Sequence, residues 1–144
     1  MKTKLLLLIV TIVSISHITY SQDKLLAVSE IPEEITSYIN NNFSKNVIIK
    51  AIKDTDGLSF NYEITLDDLT KLEFNNKKQI IEIESKTKLP DSVIPSNILN
   101  YVHSYYPNNY IRSWESDTRN QKIELNNGID LIFDINGYFL KIDD

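Results

Sequence analysis

The chain has 144 residues, with 20 acidic against 15 basic side chains, a formal charge of −5 and no cysteine. That balance argues against nucleic acid, whose backbone is met by clustered Lys and Arg, and against an anionic membrane surface. Without cysteine there is no disulfide framework, so a packed core must hold the fold.

Met1-Lys2-Thr3-Lys4 precedes an apolar run from Leu5 to Ile15, and small residues follow at Thr19 and Ser21. These are the parts of a cleavable secretory leader, with cleavage expected after Ser21. The run is shorter than the ~20 apolar residues of a membrane span, so no membrane insertion is expected once the leader is removed. With no cysteine after the run, no lipoprotein anchor is expected. Export to the periplasm, or secretion, is the expected destination. Lys2 and Lys4 leave with the leader, so 13 basic residues remain against 20 acidic ones, a charge of −7, and His103 becomes the only histidine. About 120 residues suffice for one packed body, whereas ~60 would be marginal.

After a lead-in over 22–30, Ile31, Ile35, Tyr38, Ile39 and Phe43 trace one face of a 3.6-residue helix, with Pro32 at its start. Val47 to Lys53 is rich in β-branched residues and predicts a strand ending in the turn Asp54-Thr55-Asp56-Gly57. From Leu58 to Leu66, apolar Leu58, Phe60, Tyr62, Ile64 and Leu66 alternate with Ser59, Asn61, Glu63 and Thr65, so one face is core and the other meets water or a partner. Strands over Leu69–Phe74 and Gln79–Glu84 complete an antiparallel meander with short turns. The polar, proline-bearing stretch 85–93 reads as a linker. A second helix is expected from Pro95 to Tyr106, then strands over Tyr110–Ser116, Gln121–Asn126, Ile129–Asp134 and Tyr138–Asp143.

The second half echoes the first. Ile31, Ile35, Tyr38, Ile39 and Phe43 reappear 63 residues on (Ile31 to Ile94) as Ile94, Ile98, Tyr101, Val102 and Tyr106. Further along the offset falls to 59 (Leu66 to Leu125), which predicts a longer first hairpin in the first copy, around Asp56-Gly57. The expected class is α+β, a tandem repeat of two helix-led units, 31–84 and 94–144, each with four antiparallel strands.

Catalytic patterns are absent. Asp54-Thr55-Asp56-Gly57 and Asp134-Ile135-Asn136-Gly137 resemble pieces of a calcium loop but lack its further oxygen ligands and closing Glu, so they read as hairpin turns. His103 aligns with Asn40 on the polar side of its helix and has no partner histidine or cysteine for a metal or a nucleophile. Glu33-Glu34 and Asp67-Asp68 are adjacent, so their carboxylates diverge and no glycosidase pair follows. Glu33 and Glu34 fit the first turn of a helix, whose dipole favours them. Tyr106 and Trp114 align with Phe43 and Ala51 and are expected in the core, while Tyr105 aligns with Asn42 and is expected to be exposed.

The string Ile-Pro-x-x-Ile-x-x-Tyr-Ile, the segment Tyr62-Glu63-Ile64-Thr65-Leu66, and in the second copy Ile123-Glu124-Leu125-Asn126-Asn127-Gly128 with Phe133-Asp134-Ile135-Asn136-Gly137-Tyr138 resemble the PepSY-like proteins, also described as beta-lactamase-inhibitor-like. The resemblance spans Ile31 to Asp144. In the first copy Asp67-Asp68-Leu69 and Asn75-Asn76-Lys77-Lys78 replace the glycine turns. The resemblance implies helices packed on four-stranded antiparallel sheets, an exported location and no catalytic residues. The expected function is therefore non-enzymatic: a protein or peptide partner bound on the sheet face carrying Ser59, Asn61, Glu63 and Thr65 with Lys122 and Glu124, bordered by Tyr105. A small-molecule carrier with a pocket between helix and sheet is the alternative. No cofactor and no metal are expected.

Overall fold

Each Ile-Pro pair opens a helix. In a computed structural model, which describes residues 23–57 and 59–143, α1 is Glu33–Asn42 and α2 is Ser96–Tyr105. Pro32 and Pro95 precede them with φ of −54° and −55°, the value that the pyrrolidine ring fixes in advance. At the other ends the Phe43 and Tyr106 N–H groups donate to the carbonyls of Ile39 and Val102. The expected leader lies outside the described residues, as does Leu58 in the predicted second strand.

The strands are β1 Lys24–Leu25, β2 Ile48–Asp56, β3 Ser59–Leu66, β4 Lys71–Phe74, β5 Ile80–Glu84, β6 Ile111–Ser116, β7 Asn120–Leu125, β8 Asp130–Asp134 and β9 Phe139–Asp143. Among the described residues they form one antiparallel nine-stranded sheet in chain order. This corrects the expectation of two four-stranded sheets. Had the sheet stopped at β5, a row of backbone N–H and C=O groups would be left unpaired in the middle of the molecule. Instead Ile83 pairs with Trp114 and Glu84 with Ser113. The stretch 85–93 continues that ladder, with Ser85 N–H donating to Arg112 O (2.8 Å) and Leu89 N–H to Ile111 O (2.9 Å). Leu89 and Val93 are buried, so this connection is part of the core. The lead-in also contributes more than its sequence suggests, because β1 pairs with β2.

Both helices lie on one face of the sheet. A single apolar core joins Ile35 and Ile39 of α1 and Ile98 and Val102 of α2 to Ile64, Leu72, Ile83, Ile123 and Leu131. Tyr38 meets Phe74 edge-on at 5.5 Å, and Tyr101 meets Phe133 likewise at 5.4 Å. Trp114 is buried, with its indole N–H donating to Gln121 Oε1. Tyr106 is only half-buried.

The duplication is visible in backbone detail. Bulges fall at Ile48/Lys50 and Ile111/Ser113, 63 residues apart, and at Glu73/Phe74 and Ile132/Phe133, 59 apart. Asn75 Oδ1 accepts the N–H groups of Lys77 and Gln79, and Asp134 Oδ1 those of Asn136 and Tyr138. Where the first copy lacks the turn glycines it keeps their conformation: Leu69 (φ 67°) stands for Gly128 (φ 85°), and Lys78 (φ 61°) for Gly137 (φ 82°). The change of offset has a location too. The second copy closes its first hairpin with Asp117 N–H donating to Asn120 O, whereas β2 and β3 run on through the pairs Thr55–Phe60 and Asp56–Ser59.

Candidate functional site: the uncovered face of the sheet

Because side chains alternate across a strand, the residues between the core positions share the face that neither α1 nor α2 covers. Strand pairing then sorts them into rows. One row runs Glu63, Glu73, Glu82, Glu115 and Lys122 across β3 to β7, each opposite the next. The neighbouring row runs Thr65, Lys71, Glu84, Ser113 and Glu124. Four glutamates therefore stand side by side in register, about 5 Å apart from strand to strand. Like charges directly opposite one another work against sheet formation.

The electrostatics register this crowding. The Glu82 carboxyl is pushed above its ordinary range, first by burial and then by Glu73, Glu115 and Glu84 around it. Glu63 is raised as well, again by burial first and then by Asp54, Glu73 and Asp23, with Lys50 opposing. Cations answer the acids only in part: Lys71 Nζ lies 3.7 Å from Glu84 Oε2. A depression of about 370 Å³ opens among Lys50, Glu63, Lys71, Glu73 and Glu82.

Six of the seven residues expected at the surface are on this face, in varied states. Ser59 and Glu63 are exposed, while Asn61, Thr65, Lys122 and Glu124 are half-buried. Asn61 Nδ2 donates to Glu73 Oε1. Lys122 Nζ bonds Asp130 (2.6 Å) and lies 3.7 Å from Asp143, and its pKa is raised, chiefly by the Asp130 hydrogen bond. Glu124 is ion-paired with Arg112. Tyr105 is exposed as expected, yet it belongs to α2 on the opposite side of the sheet, 4.6 Å from the Tyr101 ring, so it does not border this surface. Sequence reasoning missed Glu73, Glu82 and Glu115. Their alternation with Leu72, Phe74, Ile83 and Trp114 was readable, but their shared row exists only through pairing.

Of the two calcium-loop fragments, the second is the expected turn, whereas the turn expected over 54–57 is corrected, because β2 runs on through Asp56 with Gly57 in the turn. Asp134 spends its Oδ1 on two backbone N–H groups, and Asp54 to Asp56 are strand residues paired with β3. Among the described residues no three His, Cys, Asp or Glu side chains stand together as a metal-holding group. His103 is exposed, at the mouth of a cleft of about 310 Å³ between α2, the 85–93 connection and the start of β6, with Leu89, Ile94, Leu99 and Tyr110. Directly between helix and sheet there is packing: Ile35, Ile98, Phe74 and Phe133 are wholly buried.

A family model described as "Putative beta-lactamase-inhibitor-like, PepSY-like" matches twice, over residues 17–82 and 60–141. The chain belongs to this PepSY-like family, and the double match agrees with the repeated backbone. Three solved structures are similar. A protein from Bacteroides thetaiotaomicron, described as a "putative calcium-regulated periplasmic protein", is 29% identical with a TM-score of 0.81, over 85% of this chain and 97% of that one. A Bacteroides vulgatus protein described as a "putative periplasmic protein" is 28% identical, TM-score 0.80, over 85% and 97%. Another from Bacteroides vulgatus, described as of unknown function, is 27% identical, TM-score 0.80, over 85% and 100%. No curated protein matches the chain. Neither the family's description nor those of the similar structures name an enzyme activity.

Proposed function

We propose that this is a non-enzymatic, exported binding protein that uses the uncovered sheet face to hold a cationic segment of a partner protein. The observation that carries the reading is the in-register row Glu63, Glu73, Glu82 and Glu115, set where like charges oppose folding. A partner with Lys or Arg side chains along that line relieves the repulsion and gains charge complementarity. Export accords with the leader-like first 21 residues and with the periplasmic description of the similar structures. No helix among the described residues is long and apolar enough to cross a membrane.

The test is affinity capture from periplasmic extract with the exported protein and with a Glu63→Gln, Glu73→Gln, Glu82→Gln triple variant. A partner held by the parent, released by salt and lost by the variant supports the reading; equal capture by both removes it. Calcium titrated alone serves as a control, since the Bacteroides thetaiotaomicron protein is described as calcium-regulated. Small-molecule carriage has one feature in its favour, the cleft beside His103, which at about 310 Å³ lies at the lower end of ligand-sized sites. A compound co-purifying there, displaced by Leu99→Trp, would turn the assignment toward that reading.

A further inference from the structure

β9 ends the sheet, and the duplication says what kind of edge it is. Counting 59 residues on, Glu82, Ile83 and Glu84 of β5 become Lys141, Ile142 and Asp143 of β9. β5 uses its outer side to receive β6, where Ile83 lies opposite Trp114 and is fully buried. Ser85 N–H donates to Arg112 O in the same ladder, so by the two-residue alternation of antiparallel pairs Ile83 also turns its N–H and C=O toward β6. Ile142 repeats that position with no strand beyond it among the described residues and is left 47% exposed, with Leu140 53% exposed beside it. β9 is thus a copy of a strand-accepting edge. The outer side of β2, which corresponds to β6, is already covered by β1 and carries Ala51 in place of Trp114, so it is a poor complement.

We infer that β9 pairs antiparallel with β9 of a second copy of this chain, about a two-fold axis through Ile142, joining two nine-stranded sheets into one. In that register Ile142 meets its own symmetry mate, and Lys141 of each copy stands opposite Asp143 of the other. One apolar pair is flanked by two opposite-charge pairs, a self-complementary pattern suited to an isologous interface. Centring the axis on Lys141 instead would set Lys141 against Lys141. A slip of one residue would set Lys141 against Ile142. The axis runs through the sheet, so both helix layers stay on one side and the two glutamate rows share the other. This inference stands independently of what the glutamates bind.

Sedimentation of the exported protein, with amide hydrogen exchange followed at Ile142, tests it. The expected result is a dimer whose Ile142 amide is protected and loses that protection on dilution. Lys141→Asp and Asp143→Lys each weaken the dimer about tenfold or more, since each reversal is felt at two symmetric pairs. The double exchange recovers part of the affinity, because it restores opposite charges across the axis and in the Lys141–Asp143 contact within each strand, while leaving a lysine beside Lys122. Ile142→Lys gives a folded monomer, with circular dichroism and melting temperature reporting the fold. A monomer at about 100 μM overturns the inference. So does a dimer that leaves the Ile142 amide unprotected, or protection that appears only when a foreign peptide is added.

Discussion

Glu82 sits in the middle of the sheet with Glu73 on one side and Glu115 on the other. Its folded pKa is raised, so the protonated folded form is favoured: the stabilising contribution is complete below the ordinary carboxylate range and is lost as pH rises through the raised value. Glu82→Gln is therefore expected to stabilise the protein at neutral pH, by less than about 1 kcal/mol because solvent screens the site. Urea unfolding should show that gain shrinking as the pH falls through the raised value and gone below the ordinary carboxylate range. Leu69 and Lys78 hold left-handed conformations that cost an L-residue about 1 kcal/mol. Leu69→Gly and Lys78→Gly are expected to recover part of that cost, whereas Gly137→Ala should destabilise, since a Cβ there would lie 3.0 Å from Asn97 Cβ at a φ of +82°. Thermal melts of the three variants read the sign directly.

Among the elements, β6 decides most, because it ties the second half to the first. Trp114 covers Ile83 and is fixed by Gln121, whose amide Nε2 donates in turn to the carbonyls of Asp134 and Ile135. Trp114→Ala should cost about 3–5 kcal/mol in urea unfolding, in line with other buried aromatic deletions. Trp114→Phe should cost less and chiefly through the indole hydrogen bond, and because Gln121→Leu removes that same bond, the double variant should cost less than the sum of the two single losses in urea unfolding. The helices were legible as elements because their apolar spacing and their prolines are local signals. The strand Lys24–Leu25 was not, since two residues carry no periodicity and acquire their conformation only from the β2 edge.

For the whole molecule, a continuous ladder from β1 to β9 with one core beneath it predicts one cooperative unfolding transition. The chain has a single Trp, Trp114, in the second copy, so its fluorescence reports that half while circular dichroism reports both. Coincident melting curves are expected. A first copy that melts apart, leaving the tryptophan signal unchanged, would show that the β5–β6 junction does not couple the halves.

The sequence by itself determined the two helices and the strands of both copies, their duplication, the family and which side chains of those strands avoid the core, because helix periodicity, strand alternation and turn residues are properties of neighbours in the chain. Only the tertiary structure decided that the two copies share one sheet, that Tyr105 and Glu63 lie on opposite sides of it, and that Glu63, Glu73, Glu82 and Glu115 form a row. Alternation tells a residue which face it is on. Which residue it stands beside on that face is set by hydrogen bonding between strands far apart in the chain, and no local pattern carries that information.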